Sequence, residues 1–162
     1  MRPRMELLPF HIIDIPETIP EEYSPRFPRP FTCKEDAYAA CGEAMEAVQE
    51  WENEYRRYLA ERVDTADALR CMTLGSLTEE LMNIGDITGY QQQLIYQVVS
   101  ARNKFVHTAL LQHRLHVDYE EVRAQLNYFL FAVTDCIDVV ANLRDGGSRP
   151  TIFDDPKKRE DP

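Results

Sequence analysis

TCKEDAYAACGEAMEAVQEWENEYRRYLAERV, residues 32 to 63, decides the fold. Apolar side chains recur at Tyr38, Cys41, Met45, Val48, Trp51, Tyr55, Leu59 and Val63. The steps are three or four residues, the period of an α-helix. Glu43, Glu46, Glu50, Glu54, Arg57 and Glu61 fall largely between them. Thr32-x-x-Glu35 has the form of a capping box, in which the hydroxyl accepts from a backbone amide and the carboxylate reaches back. The pattern predicts one long amphipathic helix that starts at Thr32.

The same period continues outward. From about Asp64 to Ile84, Leu69, Met72, Leu77, Leu81 and Ile84 form an inward face. Ser76-x-x-Glu79 reads as a second cap with a break at Gly75, and Gly85 suits the residue that ends a helix. A third helix starts at Asp86 or Thr88 and ends near Gln112, with a stripe of Tyr90, Leu94, Val98, Ala101, Phe105 and Ala109. Gln91-Gln92-Gln93 reads as its exposed face. After a link from His113 to Val117, Asp118 opens a last helix with Val122, Leu126, Phe129, Val133, Ile137 and Val140 inward, and Gly146-Gly147 stops it. Four helices with short links over residues 32–144 predict an all-α, up-and-down four-helix bundle. There is no internal repeat, glycine-rich phosphate loop or strand–helix alternation, which argues against α/β nucleotide-binding classes.

Residues 1–31 hold seven of the ten prolines. Proline lacks a donor and disfavours helix at the residue before it, so this segment is not helical. Leu7, Leu8, Phe10, Ile12, Ile13, Ile15, Phe27 and Phe31 make it too apolar for a free linker. It is expected to be an extended arm lying across the domain or a partner, with a short strand allowed at Phe10 to Ile15. Residues 145–162 read as a mobile tail.

The chain has 162 residues, 44% of them hydrophobic, and a net charge of −10. That supports one domain with a real core. It disfavours general nucleic-acid binding, which rests on basic surface and counterion release. Any such role needs a local basic patch. Cys33, Cys41, Cys71 and Cys136 form no C-x-x-C pair or zinc spacing. Cys41, Cys71 and Cys136 stand among apolar neighbours and read as reduced, packed thiols. Glu79-Glu80 and Glu43, Glu46, Glu50 lack the Glu-x-x-His pairs of a di-metal bundle, so no metal or cofactor is expected. Glu6, Pro9, His11, Asp14 and Pro16 interrupt any signal-like run, and no stretch reaches the roughly 18 apolar residues of a membrane span. A cytoplasmic protein with no membrane partner is expected.

One run carries chemistry: Arg102-Asn103-Lys104-Phe105-Val106-His107. Asn103 and His107 are four apart and share a helix face. Arg102 points to a different side, so one helix does not bring it to His107. Two copies about a two-fold axis would. The chemistry suits metal-free RNA cleavage, in which the ribose 2′-hydroxyl attacks the adjacent phosphorus. Imidazole, which as a residue type titrates near pH 6.5, moves the proton. A guanidinium fork matches the charged phosphorane. His107 takes the acid/base role, Arg102 the phosphate, and Asn103 orients the histidine or binds phosphate. Lys104, His113 and Arg114 are the candidate RNA contacts. Requiring Asn directly after the arginine lowers the chance expectation from roughly a third of an occurrence to roughly one in a hundred.

Arg-Asn-x-x-x-His near a helix end, followed by a short link and an acid-led amphipathic helix, resembles the HEPN superfamily. The likeness covers about residues 90 to 143, plus general architecture for residues 32 to 85. It implies a small, often dimeric helical bundle. Many members are metal-independent endoribonucleases of toxin–antitoxin, phage-defence and CRISPR-linked systems, and others are non-catalytic binding domains. The resemblance therefore implies an RNA substrate, a homodimer and a cognate antitoxin or regulatory protein. Ala109 stands where toxins paired with a nucleotidyltransferase commonly carry tyrosine, and Thr108 where many relatives carry glycine. The proline-rich arm is also outside the common pattern. The alternative is a non-catalytic interaction module, with Arg102 bonded to a carboxylate on another helix and residues 1–31 docked on a partner.

Overall fold

The computed structural model describes residues 9–62, 66–84, 87–111 and 117–145. The helices are α1 (Lys34–Ala60), α2 (Ala66–Leu69), α3 (Leu74–Ile84), α4 (Gly89–Leu111) and α5 (Tyr119–Asp145). Leaving aside the single turn of α2, they form the expected up-and-down four-helix bundle. α1 packs on α3, α3 on α4, α4 on α5, and α5 closes the ring against α1 over the longest contact. Among the described residues there is no strand. The segment allowed as a strand at Phe10 to Ile15 bends at Ile12 and Ile13 instead.

Helix starts follow side-chain chemistry at positions that partly differ from the expected ones. α1 begins after Cys33, which makes no side-chain cap. Thr32 donates to Asp36 Oδ2 from both its amide and its hydroxyl, at 3.0 and 3.1 Å. Asp36, one residue beyond the expected Glu35, therefore reaches back. For α3 the cap is Thr73, not Ser76. Thr73 Oγ1 accepts from the Ser76 amide at 3.2 Å, and Leu77 N donates to Thr73 O. α4 has the reciprocal box: Thr88 N donates to Gln91 Oε1 at 3.0 Å, and Gln91 N to Thr88 Oγ1 at 3.2 Å. Gln92 Nε2 donates to Ile87 O. Two of the three consecutive glutamines are thus spent on the helix start, and only Gln93 is exposed. Asp118 opens α5 as expected, accepting from the Glu120 amide at 2.9 Å.

The inward face of α1 also differs in its first half. Ala37, Ala40 and Ala44 are buried, whereas Tyr38 is 45% and Met45 41% exposed. Small side chains let neighbouring elements approach closely, and interaxial distance depends on the side chains at the contact. From Val48 onward the stripe runs as expected through Trp51, Tyr55 and Leu59.

α5 is the central element. Val122, Leu126, Phe129, Val133 and Val140 are buried, but so are Gln125, Asn127, Tyr128 and Leu130 on the two flanks of that stripe. Residues 9–31 pack against α5 there. Phe10, Ile12 and Ile13 join the core, and Tyr23 stacks edge-on against Phe131 with centroids 5.2 Å apart. Gln125 Oε1 accepts from the amides of both Ile12 and Ile13 at 2.9 Å. Asn127 accepts from Phe27 N at 2.7 Å and donates to Phe27 O at 3.1 Å. Backbone polar groups that would otherwise be buried unpaired are thereby satisfied. By length and composition α5 is also apolar enough to cross a membrane, although the sequence pattern predicted no such stretch. Of its most apolar stretch 67% is buried inside the bundle, as in a core helix.

Two ionic ties brace α1. Buried Glu54 accepts from Arg57 at 2.7 Å and from Arg144 of α5 at 3.0 Å. Arg56 donates to the carbonyls of Leu69 and Met72, both at 3.1 Å, tying α1 to the end of α2 and the link after it. The expected tail begins at Asp145, which is the last residue of α5. Its other residues lie outside the described residues.

Candidate active site

α4 positions the motif. Its box at Thr88 sets the start, and Ile95, Val98, Val99, Ala101 and Phe105 are buried. The Phe105 ring lies 5.6 Å from that of Phe129 on α5, which fixes the turn bearing the motif. At about 100° per residue, Arg102 and His107 stand roughly 140° apart around the helix axis.

The residues divide accordingly. Arg102 points toward α1. Its Nη2 donates to Glu52 Oε1 at 3.3 Å and its Nη1 to Asn103 Oδ1 at 3.2 Å. The Arg102 side chain is 29% exposed and that of Glu52 16%. Arg102 Nε is buried and has no hydrogen-bond partner among the described residues. Glu52 is shared, because its other oxygen lies 3.6 Å from Arg56. Asn103, Lys104 and His107 are exposed. His107 makes no hydrogen bond or ion pair among the described residues. Asn103 is bonded to the arginine rather than to the histidine. One α4 therefore offers an arginine held on the bundle side and a histidine exposed on the solvent side. His113 and Arg114 lie outside the described residues.

Two features were not read as part of the site. Glu52, 50 residues upstream, sets the arginine's direction, and no local pattern announces it. The other is visible in the sequence: α4 contains no Asp or Glu in a chain of net charge −10. Its exposed face runs Gln93, Tyr96, Gln97, Ser100, Asn103, Lys104 and His107. α1 and α5 both carry several carboxylates. The side chains of α4 itself add no repulsion for an anion.

No family model, curated protein or solved structure matches this chain.

Proposed function

We propose that the chain is a metal-independent endoribonuclease of toxin or phage-defence type. The observation that carries this is the acid-free face of α4, which presents Asn103, Lys104 and His107 to solvent with Arg102 beside them. His107 moves the proton of the 2′-hydroxyl and of the leaving 5′-oxygen. Arg102 stabilises the phosphorane, and Asn103 holds the arginine fork or the phosphate. Because Arg102 and His107 stand on different sides of α4, the competent form is a homodimer. There the arginine of one protomer meets the histidine of the other. A toxin of this kind implies a cognate antitoxin or regulatory protein that covers the face.

The test is incubation of purified protein with total RNA in EDTA, followed by end-group analysis. Wild type should leave 2′,3′-cyclic phosphate ends, and His107→Ala and Arg102→Ala should not, with helical content kept. No cleavage by a folded wild-type dimer overturns the assignment.

The Arg102–Glu52 pair favours a second reading, a non-catalytic helical interaction module in which Arg102 anchors α4 to α1. In that case Arg102→Ala lowers stability, and no RNA is cut by any variant.

A further inference from the structure

A cleft of about 220 Å³ opens beside the motif, between α4, α5 and the N-terminal segment. Its floor is apolar, with Ile13, Val98 and Tyr128, and its rim carries Gln97, Ser100 and Lys104. A concave apolar site with a few convergent polar groups is the usual form of a small-ligand pocket, though drug-sized ligands take about 300 Å³ or more. An apolar cavity of about 150 Å³ holds a benzene ring. The cleft therefore suits one planar ring system somewhat larger than benzene.

The lining carries one charge of each sign. Lys104 makes no ion pair among the described residues and stands at the end nearest His107, one helical turn away. Asp14, also on the lining, accepts from His11 at 2.9 Å. An anionic group is drawn to the lysine and repelled by the aspartate. Gln97 and Ser100 both donate and accept, as the hydrogen-bonding edge of a base requires.

We propose that this cleft is the base-accepting subsite of a single RNA strand. One unstacked nucleobase enters between Ile13 and Tyr128, its edge is read by Gln97 and Ser100, and its phosphate lies on Lys104 toward His107. Single-stranded RNA is commonly recognised in this manner, with bases splayed out against aromatic side chains. The assignment rests on the nuclease reading for its direction along α4, but the cleft itself does not depend on cleavage. It gives the N-terminal segment a role as one wall of the specificity pocket.

The experiment is therefore done on full-length His107→Ala protein. Backbone and side-chain amide shifts are followed by NMR during titration with the four nucleoside 3′-monophosphates, each to about 10 mM, and with the four homotetranucleotides. Saturable shifts at Gln97, Ser100 and Ala132 are expected, strongest for one base, with the matching tetranucleotide binding about tenfold or more tightly than its mononucleotide. Ser100→Trp, at an exposed helix position, should fill the mouth and weaken binding about tenfold or more. Gln97→Ala should change the order of the four bases, and it serves as the second variant if Ser100→Trp does not fold. Absence of shifts in the cleft, or binding unaffected by both substitutions, overturns the subsite. A tetranucleotide that binds no better than its mononucleotide makes the ligand a free nucleotide and overturns the strand assignment. If wild type never cuts RNA while these shifts are present, the nuclease reading fails and the subsite stands.

Discussion

Glu52 on α1 holds Arg102 on α4 at 3.3 Å with one carboxylate oxygen, while its other oxygen lies 3.6 Å from Arg56. The proposed phosphate ligand is thus partly neutralised by its own bundle. Glu52→Gln keeps the shape and an acceptor but removes the charge. Single-stranded RNA should then bind several-fold more tightly at low salt, with the gain shrinking as salt rises. Stability should fall by about 1–2 kcal/mol, between the costs of breaking exposed and buried pairs. Filter binding over a salt series and urea unfolding measure the two effects. Lost stability with unchanged RNA binding would make Arg102 only a tie between helices.

On α1, Ala44 is fully buried and Met45 is exposed. Ala44→Leu adds methylenes to a filled core and should cost about 1–3 kcal/mol. Met45→Gln should stay within about 0.5 kcal/mol of wild type. Urea midpoints of the two variants decide which face is inward. The reverse order would restore the stripe that hydrophobic periodicity alone selects.

That contrast shows what periodicity can and cannot read. It placed four helices and their rough ends, because steps of three and four need only local sequence. It misplaced the first half of α1 because it weights large side chains, while close packing there uses Ala37, Ala40 and Ala44. It gave Gln125 and Asn127 no inward role. α5 is covered on two sides, and their partners are backbone groups 100 or more residues earlier. At the candidate site the spacing of Arg102, Asn103 and His107 was legible, as was the separation of arginine and histidine around the helix. A carboxylate on another helix was expected for Arg102 in the alternative reading, but that it is Glu52 was not legible, since nothing near either residue encodes a pairing across 50 positions. The cleft was equally hidden, because it exists only where the N-terminal segment meets α4 and α5.

The cysteines separate by environment. Cys71 is exposed, contrary to its expected packing, while Cys41 is half-buried and Cys136 buried. Burial pushes the Cys41 thiol up to about 11 and raises the Cys136 thiol well above its ordinary range. Only the thiolate is nucleophilic, so both should resist alkylation near neutral pH. Iodoacetamide on the native protein, read by peptide mass spectrometry, should label Cys71 first. Cys41 and Cys136 should follow only on unfolding. Early labelling of Cys136 would mean that α5 is not packed as described.

Gln125 tests whether the N-terminal segment is integral to the bundle. Its Oε1 is the acceptor for two successive buried amides, Ile12 N and Ile13 N. Gln125→Ala removes that acceptor and leaves both donors without a partner. Each orphaned buried group costs about 1–3 kcal/mol, so a loss of roughly 2–4 kcal/mol is expected, less if water enters. The loss should be local before it is global, because the segment is joined to the rest by packing rather than by a helix or a strand ladder. Hydrogen exchange at Ile12 and Ile13 should accelerate well ahead of exchange at core positions such as Phe129. The wall that Ile13 gives to the cleft should loosen with it, so nucleotide binding there should weaken in the same variant. Unchanged exchange at Ile12 and Ile13 would mean that Phe10, Ile12 and Ile13 hold the segment by apolar contact alone, and that the paired amides contribute little to its docking.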